Sequence, residues 1–196
     1  MKCKLLIAGV GGQGILTINQ IIGESAVKEE KQILASEVHG MAQRGGSVVS
    51  FMKIGNYRSP LMGHGEADIL LSLEPVEALR SLDKAGSNTD ILVNSKPIKP
   101  WPVTSGKEEY PDVEKFLEEA KSKVNSIKKI PASELARKEG MERAANIVML
   151  GALSKLDKFP IEETTMIQTI KETFPERFVD INIKVFELGY KFFDSP

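Results

Sequence analysis

Short, mainly apolar runs alternate with amphipathic stretches along most of this 196-residue chain. A run of this kind between turn or helix signals predicts a strand that is covered on both faces of its sheet. The predicted strands occupy residues 4–10, 32–38, 47–54, 68–73, 90–93 and 124–130.

The stretches between and after these runs carry apolar residues at helical spacing. The first predicted helix has one apolar face, made by Ile15, Ile18, Ile22 and Ala26. A charged helix over residues 112–123 is expected to turn inward Val113, Phe116, Leu117 and Ala120. Further helices are predicted at residues 133–140, at 143–156, after Pro160 and along a final stripe of Ile181, Val185, Leu188 and Phe192.

Strands that alternate with helices predict an α/β fold. We expect a three-layer α/β/α arrangement around a mostly parallel, Rossmann-like sheet, with a helical C-terminal third that covers one face or edge. Proline is dense within residues 97–111, which are expected to form a surface excursion. No repeat or linker-like composition divides the chain, so residues 1–196 are predicted to form a single domain.

The composition of the chain excludes several classes of protein. The formal net charge is -1, which excludes the basic excess typical of nucleic-acid-binding proteins. Cys3 is the single cysteine, so the chain forms no internal disulfide and cannot supply the roughly four thiolates of an iron–sulfur cluster. A reducing, cytoplasmic setting is therefore expected. No stretch approaches the ~20 apolar residues of a membrane span.

The loop after the first predicted strand has the sequence Gly-Val-Gly-Gly-Gln-Gly over residues 9–14. It has the spacing and the strand-to-helix context of a dinucleotide-binding loop, where small residues let a ligand approach and helix-start amides favour an anion. That anion is a pyrophosphate, a single phosphate or a carboxylate. A tight turn with close packing would use the same glycines, so both interpretations stay open. The candidate cofactor-binding residues are Gly9, Gly11, Gly12, Gln13 and Gly14.

A second polar string follows the second predicted strand, at residues 37–47. The carboxyl ends of strands are where α/β folds gather ligand and partner sites. Within the string, Arg44 offers a fork of donors to a carboxylate or phosphate. We expect an interface or ligand-facing loop, although polar groups that satisfy one another would also explain it. The candidate residues are Glu37, His39, Gln43, Arg44, Gly45 and Gly46.

The sequence offers no self-contained catalytic centre. Neither His39 nor His64 has cysteines or carboxylates at the spacing of a zinc site. A Gly-x-Ser-x-Gly nucleophile elbow is absent, and so is any evident nucleophile–base pair. We therefore assign no catalytic residue and no metal ligand.

The two strings together resemble the gamma-type domain family of 2-oxoacid:ferredoxin oxidoreductases, and in particular its indolepyruvate branch. The similarity covers nearly the whole chain and is most specific from Gly40 to Gly46. The matching segments are residues 8–17, 37–48, 59–61, 65–68, 74–75 and 146–153.

That resemblance implies a non-cluster subunit of a complex that oxidatively decarboxylates arylpyruvates, such as indolepyruvate, to aryl-acetyl-coenzyme A with ferredoxin as electron acceptor. Thiamine diphosphate, magnesium and iron–sulfur clusters are expected in a larger alpha subunit. This chain by itself is expected to bind none of them and to be inactive. A contact with coenzyme A is a further candidate role, whereas nucleic acids and membranes are not expected partners.

Three alternatives stay open. The chain is a subunit of another 2-oxoacid:ferredoxin oxidoreductase, a stand-alone dinucleotide-binding protein, or a scaffold without a ligand. In the dinucleotide interpretation, Gly9, Gly11 and Gly14 bind the cofactor and Glu37 stands in for the ribose-binding acid. Titration of the isolated chain with NADH and NADPH separates this interpretation from the others.

Overall fold

A computed structural model describes residues 2–39, 45–99 and 101–194 of the chain. One sheet, with strand order β2-β3-β1-β4-β5-β6, runs through the described molecule. Its strands are β1 (Cys3–Val10), β2 (Ile33–His39), β3 (Ser47–Ile54), β4 (Ala67–Ser72), β5 (Ala85–Asn94) and β6 (Ser126–Ile130). Every predicted strand is present, and β5 begins several residues earlier than predicted.

Helices lie between β1 and β2, between β4 and β5 and between β5 and β6, and they form all regular structure after β6 in the described residues. They are α1 (Ile15–Lys28), α2 (Pro75–Arg80), α3 (Trp101–Thr104), α4 (Val113–Ala120), α5 (Ala132–Lys138), α6 (Ala145–Ser154), α7 (Glu163–Thr173) and α8 (Glu176–Lys191). Short 3₁₀ turns lie at Leu82–Lys84, Lys121–Lys123, Glu142–Ala144 and Phe192–Asp194. The predicted α/β class and helical C-terminal third are confirmed.

The direction of the strands is mixed. The pairs β1–β4, β4–β5 and β5–β6 are parallel, whereas β3 is antiparallel to both β1 and β2. Only residues 40–46 lie between β2 and β3, too few for the crossover of a dozen or more residues that a parallel pair needs. All strands except β3 therefore point the same way, and their carboxyl ends meet at one edge of the sheet.

The two faces of the sheet are covered unequally. The larger core lies between one face and helices α1 and α5–α8, and it includes the fully buried Ile18, Ile22 and Ala26 predicted for α1. A smaller core lies on the other face, where α2 provides the cover and α4 packs against α2. The prediction that Phe116 turns inward is wrong, because its side chain is 47% exposed. The buried stripe of α4 is Val113, Leu117 and Ala120, and Phe116 lies beside it.

Helices α6 and α8 approach each other backbone to backbone. A Cβ added to Gly151 would overlap the carbonyl oxygen of Phe186, and one added to Gly189 would overlap that of Val148. Glycine at both positions therefore sets the distance between the two helices. This packing fixes the position of α8 against α6.

A partly buried ion pair ties the helical third to the middle of β5. The Asp90 carboxylate accepts hydrogen bonds from Asn125 Nδ2 at 2.5 Å and Ser126 Oγ at 2.6 Å. Lys158 Nζ lies 2.8 Å from Asp90 Oδ2. Burial opposes ionisation of Asp90, but the hydrogen bonds from Lys158, Ser126 and Asn125 hold its pKa below the usual value.

We expect Asp90→Asn to lower stability in a pH-dependent way. A carboxyl group with a depressed folded-state pKa stabilises the fold above its unfolded pKa of about 3.9 and ceases to do so as the pH falls through the folded value. The substitution should cost about 2 kcal/mol at pH 7, or roughly 6 °C in melting temperature. In melting curves from pH 7 to pH 3, the difference in melting temperature between Asp90→Asn and wild type should decrease below about pH 4. The exposed Asp180→Asn is the control, and a gap that stays constant with pH would contradict this account.

Candidate functional site

The glycine loop lies at the carboxyl edge of the sheet, between β1 and α1. Gly14 precedes the first turn of α1 with φ 83°, and its position provides no side-chain cap. Gly12 has φ 101°, and an added Cβ would meet nothing within 4 Å. The backbone at Gly12 therefore has a left-handed conformation that favours glycine and faces open space.

Other residues of the loop are engaged within the protein. Gln13 accepts a hydrogen bond from Val10 N at 2.7 Å and donates to Leu73 O at 2.8 Å, so its amide joins the ends of β1 and β4. A Cβ on Gly9 would lie 2.8 Å from Gln13 Oε1 and 3.1 Å from Leu73 Cβ. The structure therefore gives Gly9 a packing role, whereas Gly12 faces open space and Gln13 both joins the strands and lines the open space beside Gly12.

The two predicted strings meet through their backbones. Gly11 N donates to Gly46 O at 2.8 Å, and Gly45 N donates to Gly11 O at 3.4 Å. These bonds continue the β1–β3 ladder beyond its last regular pair, Val10 with Ser47. Gly11, Gly45 and Gly46 thus form one supported edge beside Gly12.

The structure describes only some of the remaining residues of the second string. Glu37 Oε1 accepts a hydrogen bond from Asn19 Nδ2 of α1 at 2.5 Å, and His39 is the last residue of β2. Gln43 and Arg44 lie outside the described residues, so their assignment to an interface or ligand loop stays a prediction.

The position of Glu37 weighs against a dinucleotide-binding loop. Strand β3 lies between β2 and β1 in the sheet. At about 4.8 Å per strand, Glu37 is displaced by roughly 10 Å from the glycine loop. Its carboxylate is also bonded to α1, and it is not available beside Gly12 as a ribose-binding acid would be.

A cleft of about 790 Å³ opens on one side of Gly12, and we call it the polar cleft. Its polar lining comes from strand ends and from the start of the helical third: Asn94, Lys96, Ser133, Arg143 and Asn146. Asn94 donates to Leu73 O and to Ser133 Oγ, both at 3.1 Å, and so holds β4, β5 and the start of α5 together. Lys96 pairs with Glu142 at the rim.

A second cleft of about 410 Å³ lies on the other side of Gly12, and we call it the aromatic cleft. Residues of α1 and of the helical third line it, namely Thr17, Met141, Phe174, Pro175, Phe178 and Asn182. Gly12, Arg143 and Asn146 line both clefts. Asn146 Nδ2 donates to Gly14 O at 3.3 Å, so this buried side chain supports the loop from below.

The glycine loop was found from the sequence, but the opposite wall of the clefts was not. Arg143 and Asn146 lie more than 120 residues further along the chain. One signal was present, because Asn146 is a buried amide in a helix that is otherwise largely apolar. Phe174 and Phe178 look like ordinary core positions in the sequence, and their place at a cleft depends on how α7 and α8 pack.

The described residues contain neither a cluster of metal ligands nor a membrane-spanning helix. No group of three or more His, Cys, Asp or Glu side chains is placed to hold a metal ion within residues 2–39, 45–99 and 101–194. Over the same residues, no helix has the length and apolar character needed to cross a bilayer.

The fold and the edge site define an α/β domain whose glycine loop lies between two clefts. The family model for pyruvate ferredoxin/flavodoxin oxidoreductase matches residues 4–192, and the chain belongs to that family. The chain is 35% identical to indolepyruvate oxidoreductase subunit IorB of Methanothermobacter thermautotrophicus over 97% of both chains. It is 37% identical to the subunit of the same name from Archaeoglobus fulgidus, over 97% of this chain and 94% of that one.

A solved structure shares the fold. It is the 2-oxoglutarate:ferredoxin oxidoreductase of Magnetococcus marinus with 2-oxoglutarate, coenzyme A and succinyl-CoA bound. The TM-score is 0.72 at 20% identity, over 96% of this chain and 30% of that chain. At this level of identity the likeness concerns the fold.

Proposed function

We propose that this chain is the small subunit of an indolepyruvate:ferredoxin oxidoreductase. The complex would oxidatively decarboxylate arylpyruvates, transfer the aryl-acetyl group to coenzyme A and pass the electron pair to ferredoxin. The observation that carries the proposal is the identity of 35–37% over nearly full length with relatives named indolepyruvate oxidoreductase subunit IorB.

The redox cofactors are proposed to reside in a larger partner subunit. The single thiol, Cys3, is fully buried, and burial raises its pKa to about 12. A neutral thiol does not ligate iron, and one cysteine cannot hold a cluster. The residues of this chain therefore do not fit an iron–sulfur cluster, and we place thiamine diphosphate, magnesium and the clusters in the alpha subunit.

The proposed role of this chain is to bind an anionic group of coenzyme A at the glycine loop. Gly12 faces open space at the amino end of α1, where backbone amides favour an anion. Arg143 adds positive charge to the polar cleft, whereas Lys96 is paired with Glu142 of the same lining. Coenzyme A is bound in the Magnetococcus marinus oxidoreductase of the same fold, which supports the choice of ligand.

Co-expression with the larger subunit tests the proposed complex. The two chains should co-purify as a brown, iron-containing assembly that reduces ferredoxin with indolepyruvate and coenzyme A. Each chain assayed separately should be inactive. Failure of the two co-expressed chains to co-purify, or activity with NADH or NADPH by the isolated chain, would contradict the proposal.

Gly12→Val tests the glycine loop within the assembled complex. The added side chain would fill the space over the backbone where the anion is proposed to lie. Loss of a charge-assisted contact of about 1.5–3 kcal/mol should raise the apparent KM for coenzyme A roughly tenfold or more. The KM for arylpyruvate should change much less.

Gly106→Val is the matched control for Gly12→Val. Gly106 also has a positive φ, 74°, and an added Cβ there would meet nothing within 4 Å. It lines neither cleft, so it carries a similar backbone strain without the proposed ligand contact. Equal effects of the two variants on the KM for coenzyme A would remove the glycine loop from the proposal.

A further inference from the structure

The aromatic cleft has walls that an anion site does not require. Phe174 ends α7 and Phe178 lies in the first turns of α8, and both are partly buried in the lining. Outside this lining, the guanidinium of Arg177 lies 4.8 Å from the centroid of the Phe178 ring. Phenyl, thioether and guanidinium groups are the surfaces on which flat rings stack in proteins, and Met141 supplies the thioether here.

A buried amide provides a hydrogen-bond acceptor in the same lining. Asn182 is 2% exposed, and its Nδ2 donates to Phe178 O at 2.8 Å. That bond fixes the orientation of the amide, so Oδ1 is the atom left to accept a hydrogen bond. Within the described part of the chain, no group donates to this oxygen. Oδ1 is not one of the buried side-chain atoms that lack a partner, so it is accessible from the cleft, where an N–H group of a ligand can replace water as its donor.

The aromatic cleft is continuous with the proposed anion site. It shares Gly12, Arg143 and Asn146 with the polar cleft. Its volume of about 410 Å³ lies within the range of small-molecule sites. A ligand with a ring in the aromatic cleft would therefore carry its anionic group over Gly12 and extend into the polar cleft.

We infer that the aromatic cleft binds a flat heteroaromatic ring with an N–H donor, carried on a molecule whose anionic group lies at Gly12. The ring stacks on Phe178, and its N–H donates to Asn182 Oδ1. Two reactants of the proposed complex have this chemistry: coenzyme A through adenine and its amino group, and indolepyruvate through its indole N–H. The inference rests on the proposed function, since that proposal places the anion at Gly12.

The test uses the full chain in calorimetric titrations with three probes. Adenosine 3′,5′-bisphosphate and indole-3-acetate each carry a ring and an anion, whereas 4′-phosphopantetheine carries the anion without a ring. Phe178→Ala removes the stacking surface, and Thr17→Phe fills the cleft from α1 without removing a fully buried side chain. Phe116→Ala, an exposed phenylalanine on α4, is the matched control. Melting curves verify that each variant is folded.

Both cleft variants should weaken the binding of at least one ring probe about tenfold or more and leave 4′-phosphopantetheine unchanged. Weaker binding of the adenosine probe identifies adenine as the ring, and weaker binding of indole-3-acetate identifies the arylpyruvate. The inference is overturned if neither ring probe binds the wild-type chain, or if both bind wild type and the two cleft variants equally. Failure of the glycine-loop proposal looks different, because 4′-phosphopantetheine would then bind wild type and Gly12→Val alike.

Discussion

Gly151→Ala should destabilise this protein by about 3 kcal/mol or more, at the upper end of the range for overpacked cores. The added Cβ would overlap the carbonyl oxygen of Phe186 and lie 3.0 Å from Tyr190 N. Both are backbone atoms of α8, so no side-chain rotation relieves the overlap and the two helices must separate. For a chain of this size, the melting temperature should fall by roughly 10 °C.

Gly23→Ala is the matched control for this prediction. Gly23 lies inside α1, and an added Cβ would meet nothing within 4 Å. Because alanine is a better helix former by about 1 kcal/mol, this variant should melt at the same temperature as wild type or slightly higher. Chemical denaturation of both variants measures the difference. Similar stabilities of the two variants would show that the α6–α8 contact adapts to the added methyl group.

Glu74→Ala should cost about 4 kcal/mol, because a single buried carboxylate supports three parts of the fold. Oε2 accepts from Val76 N at 2.7 Å and Glu77 N at 3.0 Å, which caps α2. Oε1 accepts from Ile98 N at 3.1 Å and Tyr110 Oη at 2.6 Å. Burial and the hydrogen bond to Glu74 raise the pKa of Tyr110, so the phenol is a protonated donor at neutral pH.

The same substitution should loosen the segment that lines the polar cleft. Ile98 belongs to that lining, and both bonds from Oε1 hold the excursion between β5 and α4. Hydrogen exchange at Ile98 N and proteolysis within residues 99–109 should therefore increase, and the melting temperature should fall by roughly 12 °C. Glu119→Ala, an exposed glutamate on α4, should change neither measurement. Unchanged exchange at Ile98 in Glu74→Ala would show that other contacts hold the segment.

The sequence suggests the same ligand-binding role for all glycines of the loop, but the structure gives them different surroundings. Gly9 is packed against Leu73 and Gln13, Gly14 against Asn146, and Gly12 faces open space. The spacing of the glycines indicates where the backbone turns sharply or lies close to another group. It does not indicate whether that group is a ligand or a neighbouring side chain.

The local pattern was sufficient for the strands, most of the helices and the fold class, whereas the short helices α2 and α3 were not predicted. Strands β1 and β3 and helix α1 follow directly from apolar runs and helical spacing, because burial on a sheet face or a helix stripe has a fixed period in sequence. The position of the glycine loop between a strand and a helix followed for the same reason. The family resemblance was also carried by contiguous strings of residues.

Tertiary structure decided the features that depend on distant residues. The antiparallel insertion of β3 places Glu37 two strands away from the glycine loop, which it would serve only in the dinucleotide interpretation. The exposure of Phe116 was set by the outer layer that α4 occupies. Both clefts exist because the packing of α6 and α8 through Gly151 and Gly189 brings the helical third against the carboxyl edge of the sheet. Contacts across such sequence separations leave no periodic signal, since the chain between them can take many lengths and paths.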